Sequence, residues 1–164
     1  MCIVSYFKFC SAFCYHAPQQ PTPGDSTIMK ELEEGNRLAL DFSKIAKIAE
    51  KCKDSIPVAV LHAETKEVIL VAYTNELAMR KAFAERTLIL WSTSRNELWE
   101  KGKTSGETFD LLEARVNCEQ NSLLYIVRPR RGGICHTRNR QGAPRNCYYR
   151  RINLDTLALE NIDP

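Results

Sequence analysis

Three cysteines in the second half of the chain constrain its fold more than any other feature. Cys118, Cys135 and Cys147 lie 17 and 12 residues apart, which is too irregular for the paired CxxC motifs of a zinc ribbon. If the fold brings them together, three thiolates and one open position suit a catalytic zinc ion, because structural zinc normally takes four protein ligands. The alternative is three buried free cysteines that pack as small apolar residues.

The length and composition of the chain are those of one ordinary globular domain. It has 164 residues, of which 44% are hydrophobic and 26% charged. No apolar run approaches the ~18 residues that a membrane span requires, and residues 1–20 lack the features of a secretory signal peptide. We therefore expect a cytoplasmic protein with reduced cysteines and no membrane partner. Prolines and a glycine indicate that residues 1–28 form a poorly ordered tail and residues 29–164 the domain.

Positive charge is concentrated in one segment. Residues 128–151 contain eight arginines and no aspartate, glutamate or lysine, so the rest of a chain of net charge +3 carries 3 − 8 = −5. Arginine forks match phosphate oxygens in pairs, which predicts an anionic ligand, either a nucleic acid or a small phosphorylated molecule. A solvated basic loop is the alternative.

Hydrophobic periodicity predicts a mixture of helices and strands, and hence an α+β fold. One amphipathic helix follows Asp41, and a second is capped by Asn75 and runs to about Glu85. Apolar and β-branched runs predict six strands, at residues 57–62, 68–73, 87–92, 109–119, 122–127 and 148–152. The first two of these strands form a hairpin.

Two further segments connect these elements. A capping box at residues 94–97 predicts a short helix that ends at Gly102. Residues 128–147 form a long loop with three glycines, and a loop of that length inside a compact domain is usually functional. Along residues 109–119, alternation places Leu112, Ala114, Val116 and Cys118 on one face of a strand.

The residues around Cys118 suggest a second site. If residues 117–121 stay extended, Asn117, Glu119 and Asn121 point away from Cys118 and offer oxygen donors, which magnesium prefers. Two of the three are neutral amides, so an ordinary polar strand end and turn explains them equally well. His136 follows Cys135 directly and could act as an acid or base beside a zinc site.

A glycine- and lysine-rich turn is a candidate phosphate site. Residues 101–106 read KGKTSG, which is not a Walker A motif because its glycines do not precede the Lys-Thr pair in the required order. Two lysines and two hydroxyls could still hold a phosphate, although a helix end followed by a turn accounts for the same residues. Trp91 and Trp99 could stack on a base or simply pack in the core.

Several segments together resemble the phosphoribosyl-AMP cyclohydrolase family of histidine biosynthesis. They are VILVAYTNELAMRKAF, LWSTSRNELWEKGKTSGE, EARVNCEQNSLLYIV, GGICHT and NCYYRR, and the resemblance extends from about residue 41 to residue 152. The tryptophan- and glycine-containing second segment is highly specific. The resemblance implies a compact, β-grasp-like mixed sheet in a single domain, expected as an intertwined homodimer.

The resemblance also implies a reaction and a set of site residues. Water adds at C6 of the adenine ring of 1-(5-phosphoribosyl)-AMP, and the bond from N1 to C6 opens, which is the third step of the pathway. Zinc is held across the dimer interface by Cys118, Cys135 and Cys147, with His136 as the catalytic acid or base. The small phosphorylated substrate meets a set of basic, hydroxyl and glycine residues, namely Arg95, Lys101, Thr104, Ser105, Gly106 and Arg138.

The chain departs from the family pattern at two places. The family's Asp-Cys-Asp-x-Asp pattern, which holds magnesium, reads Asn117-Cys118-Glu119-Gln120-Asn121 here, so only one carboxylate remains and magnesium binding is in doubt. The spacer 138–145, between the second and third cysteines, is longer than is usual in the family. An insertion in a surface loop costs little closure entropy and need not disturb the thiolates.

Two other functions stay open. The chain could be a relative that keeps the fold and the zinc but has altered catalysis, as Asn117 and Asn121 suggest. It could also be a zinc-stabilised nucleic-acid-binding module that uses the arginines. The retained cysteines and the KGKTSG turn argue against the first, and the acidic remainder of the chain argues against the second. We therefore expect no nucleic-acid partner.

Overall fold

The computed structural model describes residues 26–52 and 54–164, with side chains from residue 30 onward. The chain divides into two compact units, residues 1–35 and 36–164. In the first unit the described part contains helix α1 (Ser26–Glu34), whose lysine, leucine and glutamates are good helix formers. The helix includes residues 26–28 of the predicted poorly ordered tail, and the rest of that prediction lies outside the described residues.

The second unit is a mixed α/β fold dominated by strands. Its larger sheet has six strands in the order β4-β3-β2-β1-β6-β5, and all neighbours are antiparallel except β1 and β6. These strands are β1 (Ile56–His62), β2 (Val68–Thr74), β3 (Ile89–Ser92), β4 (Glu97–Glu100), β5 (Phe109–Val116) and β6 (Leu123–Pro129). The second sheet pairs β7 (Arg150–Ile152) with β8 (Leu159–Asn161), and the helices are α2 (Lys44–Lys51) and α3 (Glu76–Glu85).

The six-stranded sheet curls until one edge approaches the residues that precede β3. The amide of Leu88 donates to the carbonyl of Phe109 at 3.2 Å, and the amide of Leu111 donates to the carbonyl of Arg86 at 2.9 Å. These bonds join the start of edge strand β5 to the segment between α3 and β3. Since twisted sheets of this size curl to bury one face, the core lies inside the curve.

The core combines aliphatic side chains with two aromatic ones. Val58 and Val60 from β1 and Tyr125 and Val127 from β6 are fully buried, as is Phe109 from β5. Helix α3 covers this core with two small buried residues, Ala78 and Ala82. Burial at about 25 cal/mol per Å² of apolar surface makes this cluster the main source of stability.

The structure confirms several of the predicted elements. Strands β1 and β2 form the expected hairpin, and the side chain of Asn75 accepts a hydrogen bond from the amide of Ala78 at 2.9 Å, which caps α3. Helix α2 begins three residues after Asp41, as the periodicity predicts. None of the described helices is long and apolar enough to cross a membrane.

The predicted short helix at residues 94–102 is wrong. Residues 93–96 are a turn between β3 and β4, and Glu97–Glu100 is a strand that pairs Trp99 with Leu90 and Leu98 with Trp91. Asn96 adopts the left-handed conformation with φ of 55°, which suits a tight turn. Cross-strand packing of large side chains therefore outweighs the capping signal.

Strand β5 is shorter than predicted and is irregular. It ends at Val116, and its pairing with β6 shifts between Leu111 and Glu113. Leu111 is buried, whereas Leu112 and Val116 are 42% and 55% exposed in the single chain. Part of the predicted apolar face is thus open to solvent, and Cys118 lies beyond the strand.

Candidate active site

A cleft of about 740 Å³ lies beside β4, the turn that follows it and the long loop that follows β6. The two sides of the cleft come from segments far apart in the sequence, because the curled sheet places the end of β4 opposite the loop. Among the predicted site residues, the cleft brings together Arg95, Lys101, Thr104, Ser105, Cys135, His136 and Cys147.

The long loop forms a hairpin-like structure that holds two of the three cysteines. The amide of Cys135 donates to the carbonyl of Arg145 at 2.9 Å, and the amide of Arg145 donates to the carbonyl of Thr137 at 3.2 Å. The amide of Asn139 donates to the carbonyl of Ala143 at 2.9 Å and closes the far end. The longer spacer is therefore accommodated in the tip of the loop, away from the thiols.

The thiols of Cys135 and Cys147 are in hydrogen-bonding contact. Cys147 donates to the sulfur of Cys135, and this bond, with a smaller contribution from Thr137, lowers the pKa of Cys135 to about 4. The same bond, together with desolvation, raises the pKa of Cys147. The hydroxyl of Thr137 lies 3.3 Å from the sulfur of Cys135 and donates to it. These opposite shifts have one main cause, the proton that Cys147 donates to Cys135, so Cys135 is the first of the two thiols to ionise.

His136 lies next to this pair at the cleft. Its side chain is exposed, and its Nδ1 lies 3.8 Å from the sulfur of Cys135. An imidazole that is accessible to a bound ligand and close to a thiolate can hold or release a proton there. This placement agrees with the predicted role of His136, although that role itself stays a prediction.

Lys101 ties the turn after β4 to the cysteine-bearing loop. Its side chain is buried, its Nζ donates to the carbonyl of Ile134 at 2.9 Å, and it lies 5.4 Å from the centre of the Phe109 ring. Gly102 follows with φ of +86°, and a Cβ there would lie 1.8 Å from the carbonyl oxygen of Glu107. Only glycine fits this position, so the turn is narrow and fixed.

Cys118 does not line the cleft. It is exposed on the turn between β5 and β6, and in the described part of a single chain no group of three His, Cys, Asp or Glu side chains is placed to hold a metal. The chain therefore brings together two of the three predicted zinc ligands.

The three predicted magnesium ligands bond to each other instead. The side-chain Nδ2 of Asn117 donates to Oδ1 of Asn121 at 2.8 Å, and Nδ2 of Asn121 donates to Oε2 of Glu119 at 2.9 Å. The Oδ1 of Asn117 accepts from the amides of Asn121 and Ser122, both at 3.0 Å. One side-chain oxygen of each of the three residues thus receives an N–H donor, which does not fit a hard divalent ion.

Two predicted substrate residues lie outside the cleft lining. Gly106 lies beside Arg131, where a Cβ would be 2.9 Å from a guanidinium nitrogen. Arg138 donates from Nη1 to the carbonyl of Gly142 at 2.9 Å within its own loop. Their assignment to substrate stays a prediction.

The sequence interpretation missed two acidic residues and two residues of β2 at this cleft. Glu97 and Glu100 line it, as do Leu70 and Val71 from β2. Glu97 is ion-paired with Arg95, and Glu100 lies 3.7 Å from Nζ of Lys103. Residues 97–100 were assigned to a helix, so the place of their glutamates at the cleft was not predicted.

Comparison with known proteins identifies relatives that match a large part of the chain. The family model for phosphoribosyl-AMP cyclohydrolase matches residues 70–149. The phosphoribosyl-AMP cyclohydrolase of Archaeoglobus fulgidus is 40% identical over 105 residues, which are 64% of this chain and 92% of the relative. That of Caulobacter vibrioides is 39% identical over 122 residues, 73% of this chain and 78% of the relative. A histidine biosynthesis bifunctional protein of Aquifex aeolicus is 37% identical over 97 residues, 59% of this chain and 45% of that protein.

The contact from Lys101 to the loop can be tested by substitution. Lys101→Met removes the donor to the carbonyl of Ile134, and an unsatisfied buried carbonyl costs about 1–3 kcal/mol. We expect the free energy of unfolding in urea to fall by that amount. Lys103→Met is the matched control, because Lys103 is exposed in the same turn, and it should change stability by less than about 0.5 kcal/mol. Equal effects of the two substitutions would contradict the role given to Lys101.

Proposed function

The chain belongs to the phosphoribosyl-AMP cyclohydrolase family and is an enzyme of histidine biosynthesis, and on that premise we propose that it opens the adenine ring of 1-(5-phosphoribosyl)-AMP by zinc-dependent hydrolysis of the N1–C6 bond. The observation that carries the proposal is the contact between the Cys135 and Cys147 thiols, beside His136 and the 101–105 turn. When bound, zinc supplies the Lewis acidity that activates water for attack on a purine carbon.

The donor chemistry of the thiol pair fits zinc. Two cysteine sulfurs that share one proton become two thiolate ligands when a divalent cation takes the place of that proton. The donor from Thr137 orients Cys135, as a surrounding hydrogen bond commonly does for a metal ligand. The described cysteines 52, 118, 135 and 147 are all free, which agrees with a reducing compartment such as the cytoplasm.

We propose that Cys118 of a second subunit completes the ligand set in an intertwined dimer of β-grasp-like subunits. Cys118 is exposed just beyond β5, the strand whose Leu112 and Val116 are also exposed. An apolar strand face that ends in an exposed thiol is suited to a second copy of the chain, since it would bury the leucine and valine and deliver the sulfur together.

Other residues of the cleft transfer the proton, bind the phosphate and position the loop. His136 accepts a proton from the attacking water and delivers it to the ring nitrogen that leaves, which conserves protons over the reaction. The 101–105 turn offers Thr104, Ser105 and Lys103 to a phosphate of the substrate. Lys101 acts indirectly, because its Nζ is already used to position the loop that carries Cys135.

We propose that the turn at residues 117–121 works without magnesium. Its only carboxylate, Glu119, already accepts a hydrogen bond from Asn121, and the side chain of Asn121 in turn accepts one from Asn117. Replacement of a metal by amide donors would leave the shape of the turn, and hence the position of Cys118, intact.

A nucleic-acid-binding function is less well supported. Three of the eight clustered arginines are ion-paired with carboxylates, Arg128 with Glu64 at 3.7 Å, Arg130 with Asp110 at 2.7 Å and Arg151 with Glu160 at 2.8 Å. Arg145 is buried against the ring of Tyr149. Much of the basic charge is thus neutralised or enclosed rather than presented to a phosphate backbone.

Metal analysis of cysteine variants tests the zinc proposal. Cys118→Ser, Cys135→Ser and Cys147→Ser should each lower bound zinc from about one ion per subunit to less than about a tenth, with turnover lost in parallel. Cys52→Ser is the matched control, since Cys52 is buried elsewhere, and it should keep its zinc. His136→Ala should keep zinc but lower kcat by about 10²–10⁴-fold.

Retention of zinc by Cys135→Ser would refute the ligand assignment. A wild-type protein that holds zinc but does not turn over phosphoribosyl-AMP would instead identify a catalytically altered relative.

Manganese titration, followed by electron paramagnetic resonance, tests the magnesium-free turn. The wild-type protein should bind no Mn²⁺ at this turn, and its turnover should not respond to added magnesium. Asn117→Asp combined with Asn121→Asp restores the acidic pattern and should tighten Mn²⁺ binding at least about tenfold. Gln120→Glu adds a negative charge to the same turn at a position that is not a predicted ligand, and it should not tighten Mn²⁺ binding. Tight Mn²⁺ binding by the wild type that Asn117→Ala abolishes would contradict the proposal.

A further inference from the structure

A second, smaller cleft of about 270 Å³ adjoins the first and shares Val71, Arg95 and Trp99 with it. Its lining includes two cations, Lys44 and Arg95, and four hydroxyl-bearing residues, but no carboxylate. The hydroxyl-bearing residues are Tyr73, Ser92, Thr93 and Ser94. Cations and hydroxyl donors without an acid are the groups that recognise a phosphate.

The two clefts differ in charge. Glu97 and Glu100 line the first cleft, where Glu97 pairs with Arg95, which lines both clefts, and Glu100 lies 3.7 Å from Lys103. In the second cleft Lys44 has no carboxylate within 4.0 Å among the described residues of the chain. The charge of Lys44 is therefore available to an anionic ligand.

Local structure explains why Lys44 lies at this cleft. Lys44 is the first residue of α2, and Cys52 follows the last residue of that helix. The thiol of Cys52 donates to Oδ1 of Asn96 at 3.2 Å, and the same oxygen accepts from the indole of Trp91 at 3.2 Å. One asparagine in the β3–β4 turn thus links the end of the helix to the strand that forms the cleft, and Ile48 is the buried residue of α2.

We propose that the second cleft binds one of the two ribose phosphates of the substrate, while the 101–105 turn binds the other. This inference rests on the proposed function, because it takes phosphoribosyl-AMP as the ligand. The riboses are attached to N1 and N9, on opposite sides of the purine, so their phosphates cannot share one small site. Two clefts that share Arg95 and Trp99 in their linings supply two such sites.

Binding of the two halves of the substrate, AMP and ribose 5-phosphate, to the purified protein tests the inference by calorimetry. Lys44→Ala should weaken the binding of one of these two ligands at least about fivefold and the binding of the other less than twofold, since one charged contact is lost. Thr104→Val, in the first cleft, should show the opposite preference. In turnover, Lys44→Ala should raise KM for phosphoribosyl-AMP about tenfold with kcat within about twofold.

Lys47→Ala is the matched control, because Lys47 lies on the same helix, is ion-paired with Asp41 at 3.1 Å and does not line the cleft. The inference is overturned if Lys44→Ala affects neither half or both halves equally, if Lys47→Ala has the same effect, or if the wild type binds neither half at millimolar concentration. A failure of the zinc proposal is distinguishable, because it would abolish turnover while the binding preference of Lys44→Ala remained.

Discussion

The contact between the sulfurs of Cys135 and Cys147 is the interaction on which the active-site account depends. The two residues are separated by a loop that folds back on itself through backbone hydrogen bonds, so the thiols meet although a long spacer lies between them. We propose that a thiophilic cation takes the place of the proton between these two sulfurs. His136 and the 101–105 turn lie around this thiol pair in the same cleft.

The fold holds the loop that carries Cys135 in place through the turn after β4. Lys101, buried beneath the turn after β4, donates to the carbonyl just before Cys135, and the narrow glycine turn that follows cannot shift without a clash. Because β4 is an edge strand of a curled sheet, its end faces the loop after β6 across the cleft. A rigid scaffold thus carries the reactive residues on loops, which is the usual division of labour in enzymes.

Local sequence signals predicted the local structure well. The Asn75 cap and the β1–β2 hairpin depend on residues close together in the chain, and the structure confirms both. The parallel pairing of β1 with β6 and the irregularity in β5 depend on contacts between distant segments, which periodicity does not encode. The β3–β4 hairpin was missed because a capping box and a tight turn use the same residue types.

The same distinction applies to the site. Motif resemblance predicted six site residues that all line the cleft, and their roles stay predictions; they are Lys101, Thr104, Ser105, Cys135, His136 and Cys147. Cys118 does not line the cleft of its own chain, and we propose that it joins Cys135 and Cys147 of a second subunit. The second cleft was missed because Lys44 reaches it only through the packing of α2 on the β3–β4 turn.

Subunit complementation tests the shared zinc site most directly. Cys118→Ser and Cys135→Ser chains, each inactive alone, are refolded together as an equal mixture. If each site takes Cys118 from one subunit and Cys135 with Cys147 from the other, half of the dimers regain one complete site, and activity should return to about a quarter of the wild-type value. A mixture that forms mixed dimers but stays as inactive as its parents would contradict the account.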